Sequence, residues 1–255
     1  MNKNYKSSKI SALVVCLSDE SISKEYLENL SFANEIIILN YSALTKKIGI
    51  ANGSKIDYLE NEFSNFSTLL TSAVSSAKND WLFLFDSDEI ISPDLKDELI
   101  ITSATEKNKA YFVKHNFIFF DKEIKHGGFQ NRKTIRFFNK KYCHITSDNI
   151  NFAIQTTEKT GVLKQRLDDS SYKSFDLYNE KLNAYSQIKA NYLYNSNIKP
   201  KFYHFFIKPL HKFIIHYFIK LGFLDGKEGY ILAYLHSFAV LKCYLTLWLK
   251  YKKMK

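Results

Sequence analysis

Residues 80–94 read DWLFLFDSDEIISPD, and this stretch sets the fold. Five apolar side chains in a row, Trp81 to Phe85, leave neither face of a strand for water. Such a run belongs in the middle of a sheet covered on both sides. Three carboxylates, Asp86, Asp88 and Glu89, then arrive within four positions. A buried strand has no use for them in its core. At the carboxyl end of a strand in an open parallel sheet they would face the crevice where ligands collect. Ser92 and Pro93 follow as the cap and first turn of a helix.

Working outward, ISALVVCL (10–17) and EIIILNY (35–41) read as strands, and between them Ile22, Tyr26, Leu27 and Leu30 fall at helical spacing. A third strand is expected around 55–59 and a helix from about 67 to 78. Strands alternating with helices predict an α/β fold with a mostly parallel, Rossmann-like sheet. The opening MNKNYKSSKISALVVCLSDE places a basic stretch before an apolar one, as a secretory signal does. It offers no small-residue cleavage site after Leu17 and meets Asp19 and Glu20 at once, so it reads as a first buried strand. From Ala110 the pattern turns to strand and loop (AYFVKHNFIFF, KHGGFQ, KTIRFFNK), and residues 175–195 return to helix.

The chain has 255 residues, 45% of them apolar, which supplies a core and excludes wholesale disorder. Its three cysteines show neither zinc-site nor disulfide spacing, so a reducing cytosol is expected. The formal charge of +10 is unevenly placed: residues 1–198 net +1, whereas 199–255 carry 11 Lys against Asp225 and Glu228, a net of +9. Partners are therefore sought in a C-terminal module. There, KPLHKFIIHYFIKLGF sets Leu210, Phe213, Ile214, Tyr217, Phe218 and Leu221 on one helical stripe flanked by lysines. Aromatics among lysines suit an anionic membrane surface; the alternative is that the stripe packs on the rest of the protein. Nucleic acid is disfavoured, because arginine is absent from 199–255. A further helix, 230–249, has an uncharged core of only thirteen residues, Gly229 to Leu241, short of the ~20 that a bilayer crossing needs, and is expected to be buried or interfacial. The expected division is a domain over 8–195 and a basic helical lobe over 196–255.

A D-x-D at a strand end offers two hard oxygen donors on a short loop and leaves a divalent cation's other positions to phosphate and water. The bland alternative is that Asp86 and Asp88 cap a turn. In context, DWLFLFDSDE resembles the dW-hydrophobic-DaDE of family 2 glycosyltransferases, in particular the lipopolysaccharide-core β-glucosyltransferase group. KHGGFQNRKTIRFFNKK is similar to that family's hGGw…RLF segment and puts Arg136 on its arginine. YKSFDLYNEKLNAYSQIKA matches a helix pattern at Tyr172, Lys181 and Tyr185, and LGFLDGKEGYILA (221–233) is the most specific match.

The resemblance implies a GT-A fold and inverting transfer of a sugar from a nucleotide diphosphate, a UDP-sugar, to a saccharide or lipid-linked saccharide of lipopolysaccharide type. It places Mg²⁺ or Mn²⁺ at Asp88 with Asp86, the latter also on the diphosphate or ribose side. Ser18, Asp19, Glu20 and Asn40 would line the nucleotide, Arg136 would orient phosphate or acceptor, and Glu89 would shape the catalytic acceptor side. The setting it implies is cytoplasmic, peripheral on the inner face of the cytoplasmic membrane.

The chain also departs from the family pattern. Asn40 and Leu44 replace two aspartates, Thr71 an asparagine, Asp169 a histidine, and Phe152 the glutamate that acts as base. Asp148 or Glu158 would then have to take the acceptor proton. Two readings stand side by side: an active transferase with relocated contacts, or a fold-preserving binding or partner subunit.

Overall fold

The computed structural model describes residues 9–16, 24–40, 55–59, 66–129, 134–148, 151–169 and 175–253. Strands β1 (Ile10–Cys16), β2 (Glu35–Asn40), β3 (Lys55–Leu59) and β4 (Trp81–Asp86) form a parallel block in the order β3-β2-β1-β4. Every residue of β1 and β4 is buried, in keeping with their largely apolar runs. Trp81, Phe83 and Phe85 join Ile10, Ala12 and Val14 on one face. Leu82 and Leu84 join Leu13 and Val15 on the other. The polar exception in β1, Ser11, donates to buried Glu35 at 2.5 Å and accepts from Asn79 at 3.0 Å, so its burial leaves no hydroxyl unsatisfied.

Helices cover both faces. Leu95 and Leu99 of α3 (Pro93–Thr105) pack in the first cluster, beside Leu27 of the short α1 (Lys24–Glu28). Leu69, Leu70 and Ala73 of α2 (Phe66–Ser76) pack in the second. The start of α3 is as the sequence predicts, with Pro93 in its first turn and the Ser92 hydroxyl accepting from Leu95 N–H at 3.2 Å.

Beyond β4 the sheet becomes mixed. It gains β5 (Glu89–Ile90), β6 (Ala110–Phe119), β8 (Ile135–Asn139) and β11 (Thr160–Asp169), in the full order β3-β2-β1-β4-β8-β6-β11-β5, with the short β7 (Lys122–Glu123) paired to β6. β8 runs antiparallel to both β4 and β6. β9 (His144–Asp148) and β10 (Asn151–Gln155) form a separate antiparallel ribbon. The expected α/β class, with helices flanking a sheet whose first half is parallel and a helical C-terminal part, is the architecture observed.

The division into units differs from the expected boundary at 195/196. One compact unit holds Met1–His115 with Lys133–Asp168, and the second holds Asn116–Arg132 with Asp169–Lys255. Helix α4 (Phe175–Asn195) belongs to the second because its apolar side chains are buried on α6 (Lys227–Tyr251): Tyr178 and Leu182 with Leu232 and Leu235, Ala190 and Leu193 with Cys243, Tyr244 and Leu247. Helix α5 (Phe202–Ile214) continues as a π-helical turn, Ile215–Ile219, and a 3₁₀ turn, Gly222–Asp225, leads into α6. α5 is tied to α6 by Ser237, which donates to the Pro209 carbonyl at 2.7 Å, and by Lys208, which donates to the Tyr244 hydroxyl at 2.6 Å. With 25 residues, α6 is long and apolar enough by length and composition to cross a membrane, and a third of its most apolar window is buried in the unit. It exceeds the thirteen-residue uncharged core because Lys242 and Lys250 continue the helix.

Candidate functional site

The chain leaves β1 for β2 and then β3 on one side, and returns through α2 to β4 on the other. The gap at the carboxyl ends of β1 and β4 is therefore the switch point of the parallel block, where such sheets bind ligands. Register brings the three strand ends level: Cys16 lies opposite Asn40, and Val15 opposite Asp86. The acidic turn starts there, fixed to β1 by Ser87 N–H donating to the Val15 carbonyl at 2.9 Å.

From Asp86 the chain runs to β5, which pairs with β11. Arg136 of β8 and His115 of β6 meet Glu89 at this turn. The Glu89 carboxylate is 0% exposed. One of its oxygens accepts from Asp86 N–H at 2.7 Å, and the other lies 3.4 Å from Arg136 Nη2 and 3.2 Å from His115 Nδ1. Arg136 also donates to the Leu84 carbonyl at 3.3 Å and stands 3.8 Å from Asp86 Oδ1. A buried guanidinium thus lies between two carboxylates, which offsets part of the desolvation of all three.

Among the expected site residues, Asp86, Asp88, Glu89 and Arg136 come together at this strand end. Asp86 is buried and Asp88 half-buried on the turn. Glu89 stands behind the turn, closed to solvent, rather than on an open acceptor side. Asn40 ends the neighbouring β2. Asp148 ends β9 of the ribbon, in register with Asn151, while Phe152 pairs with Ser147. Ser18, Asp19, Glu20, Leu44 and Tyr172 lie outside the described residues. Thr71 faces solvent on α2, its hydroxyl donating to the Ser67 carbonyl at 2.8 Å. Lys181 is buried and Tyr185 exposed, both on α4 of the second unit.

The sequence reading missed His115, Tyr26 and Cys16. His115 was signalled by phase: it falls on the same strand face as Tyr111, Val113 and Phe117, all buried, in a strand whose Lys114 is exposed. Tyr26 donates to the Asp86 carbonyl at 3.2 Å. Burial first, then the nearby carboxylates of Glu89, Asp88 and Asp86, hold its phenol well above the usual range. Burial likewise pushes the Cys16 thiol up to about 12, with Asp86 and Asp88 adding to the effect against a hydrogen bond with Ser87, so Cys16 is an inert packing residue.

Asp225 was also missed as a partner, although GFLDGKEGY was noticed. Its carboxylate accepts from His126 N–H at 2.7 Å and Lys125 N–H at 3.3 Å, and lies 3.1 Å from the His126 ring. Lys122 reaches the Asp225 carbonyl at 2.6 Å and Glu228 at 2.8 Å. The two motifs KHGGF and LDGKE are thus halves of one clamp inside the second unit.

Magnesium and manganese commonly take one or two protein carboxylates and leave their other positions to phosphate and water. Asp86 and Asp88 offer that donor set. Among the described residues no group of three His, Cys, Asp or Glu is placed to hold a metal. A cation here would therefore rely on ligand phosphates to complete its shell.

A Rickettsia bellii protein named an uncharacterized glycosyltransferase is 22% identical over 244 residues, spanning 91% of this chain and 83% of that one. No protein-family model matches the chain. Among solved structures, S. aureus TarS 1–349 is similar over 96% of this chain and 91% of its own, at 13% identity and a TM-score of 0.42. Its complex with UDP-GlcNAc gives 12% identity and a TM-score of 0.42, over 96% of this chain and 92% of that one. Likeness at this level leaves the functional reading to the chain's own residues.

Proposed function

We propose that the protein is a glycosyltransferase that moves a sugar, with inversion, from a nucleotide diphosphate donor of the UDP-sugar type to a hydroxyl of a lipooligosaccharide-type saccharide. The observation that carries this reading is the Asp86-Ser87-Asp88-Glu89 turn at the switch point of the parallel block, braced from behind by Arg136 and His115. The Rickettsia relative's name agrees with it.

In this reading Asp86 and Asp88 would hold Mg²⁺ or Mn²⁺, which would supply charge neutralisation for the departing nucleotide. Glu89 is a positioning residue: by accepting the Asp86 N–H it fixes the turn, and by facing Arg136 it holds that guanidinium beside Asp86. Ser18, Asp19, Glu20 and Asn40 are the residues proposed for the nucleotide. The acceptor proton is assigned to Asp148. Across the ribbon from Asn151, it neighbours in register the rung of Phe152, whose ring has no proton acceptor.

The replacements at Asn40 and Phe152 favour a second reading, a partner or saccharide-binding subunit that has kept the fold. Isothermal titration calorimetry with UDP-sugars, with and without Mn²⁺, separates the two. The transferase reading expects metal-dependent binding that Asp88→Ala weakens about 100-fold or more, since one ligand carboxylate is lost from the cation. Absence of binding to any UDP-sugar in either condition would leave the partner reading.

A further inference from the structure

Helix α5 packs Phe205 inward but turns most of its large apolar side chains outward. In an ordinary surface helix the apolar stripe faces the core and the polar residues face water. Here the buried residues of α5 and its π-helical continuation are His204, Pro209 and His216. Phe202 (78% exposed), Phe206, Ile207 (61%), Leu210, Phe218 and Ile219 (69%) face outward. The following turn adds Leu221, Phe223 and Leu224 to the exposed apolar side chains. The inner side is held by specific contacts: His204 accepts from Lys201 N–H at 2.8 Å and stacks on Tyr244 at 4.3 Å, and His216 bonds the Gly127 carbonyl at 2.6 Å. The apolar face is therefore presented by a helix whose other side is fixed in place, and a contiguous exposed surface of this kind marks an interaction site.

Charge identifies the occupant. Exposed Lys199, Lys201, Lys220 and Lys227 accompany the apolar face. Residues 199–255 contain only two acids, Asp225 and Glu228, and both are engaged by His126 and Lys122. A second copy docking symmetrically would bring one +9 segment onto another. Lysines around exposed aromatic and aliphatic side chains complement an anionic lipid headgroup layer above acyl chains. One face of the long α6 is committed elsewhere: Leu232, Leu235, Cys243, Tyr244 and Leu247 are buried against neighbouring elements of the same unit, while Tyr234 and Phe238 are exposed.

We propose that the α5 face, from Phe202 through Ile219 to Leu224, is a docking surface for an anionic bilayer, lying in the headgroup interface without crossing it. This concerns the second unit alone and holds whichever reading of the first unit is right.

The test is co-sedimentation of the full chain with vesicles of pure phosphatidylcholine and of phosphatidylcholine with about one-third phosphatidylglycerol. Binding to the anionic vesicles is expected, with loss at ~1 M salt, where the screening length falls to about 3 Å. Phe206→Ser/Ile207→Ser/Leu210→Ser is expected to weaken binding about tenfold or more, because three apolar side chains no longer enter the interface. These positions face water, so the circular dichroism and thermal midpoint of the variant should match the parent. If they do not, Phe202→Ser/Ile219→Ser is the replacement. No binding to anionic vesicles would overturn the proposal, as would equal binding to neutral ones or binding indifferent to these substitutions. So would a concentration-dependent dimer that the same substitutions dissolve, or carbonate-resistant insertion through α6.

Discussion

Glu89 is the residue on which the acidic turn depends, and its chemistry differs from that of the two aspartates beside it. It is wholly buried, receives the Asp86 N–H, and faces Arg136 and His115. Glu89→Gln keeps an acceptor for the N–H but removes the charge opposite a buried guanidinium. It is expected to cost about 3 kcal/mol of stability in urea unfolding, as uncompensated buried charges do. Asp88→Ala, half-buried on the turn, should leave stability within about 1 kcal/mol while abolishing metal-dependent donor binding. Equal destabilisation by the two substitutions would refute this separation of roles. The cluster Asp86, Asp88, Glu89 was legible in the sequence because an apolar run ending in acids is a local pattern. His115 and Tyr26 were not, since they join the cluster only when β6 and α1 are brought to the carboxyl end of β4 from outside it.

At the scale of elements, the turn between α5 and α6 is tightly constrained. Gly226 adopts φ +72°, and a Cβ on Gly229 would stand 1.9 Å from the Gly222 carbonyl oxygen. Gly229→Ala must therefore push backbone apart, and a loss of about 3 kcal/mol is expected in thermal or urea unfolding of the second unit. A near-neutral result would mean that the turn relaxes. The sequence marked LGFLDGKEGYILA as the most specific match to the family pattern. It did not announce that Asp225 receives the backbone N–H groups of Lys125 and His126, because that bond joins residues about a hundred positions apart. The stripe on α5 was likewise legible as a period, and only packing decided that Leu210, Ile214, Phe218 and Leu221 face outward.

For the whole molecule, pH reports on the second unit. His216 is buried, stacked on Phe129 at 4.7 Å and on His236 at 5.6 Å, and its Nε2 has no hydrogen-bond partner among the described residues. Burial first, then Lys212 and Lys220, lower its pKa from 6.5 to about 4, against a hydrogen bond to Gly127 that raises it. The unfolded chain then binds the proton more readily than the folded one. The resulting stability is present above the unfolded value of 6.5 and is lost as pH falls towards about 4. A decline on the order of 2 kcal/mol across that window is expected, and His216→Phe should flatten it in thermal melts compared at about pH 7 and about pH 5. An unchanged pH profile in the variant would assign the decline to other groups.

The sequence alone determined the parallel block, its helices, the acidic strand end and the basic C-terminal segment. Each of these is a local pattern of period, charge or capping, and burial on both faces of a strand forces an apolar run whatever lies further along the chain. Only the tertiary structure decided that β8 and β6 carry Arg136 and His115 to the acidic turn, that α4 belongs with α6, and that α5 turns its apolar side to the outside. Those outcomes depend on which surfaces meet, and a period states that a face exists without stating what will cover it.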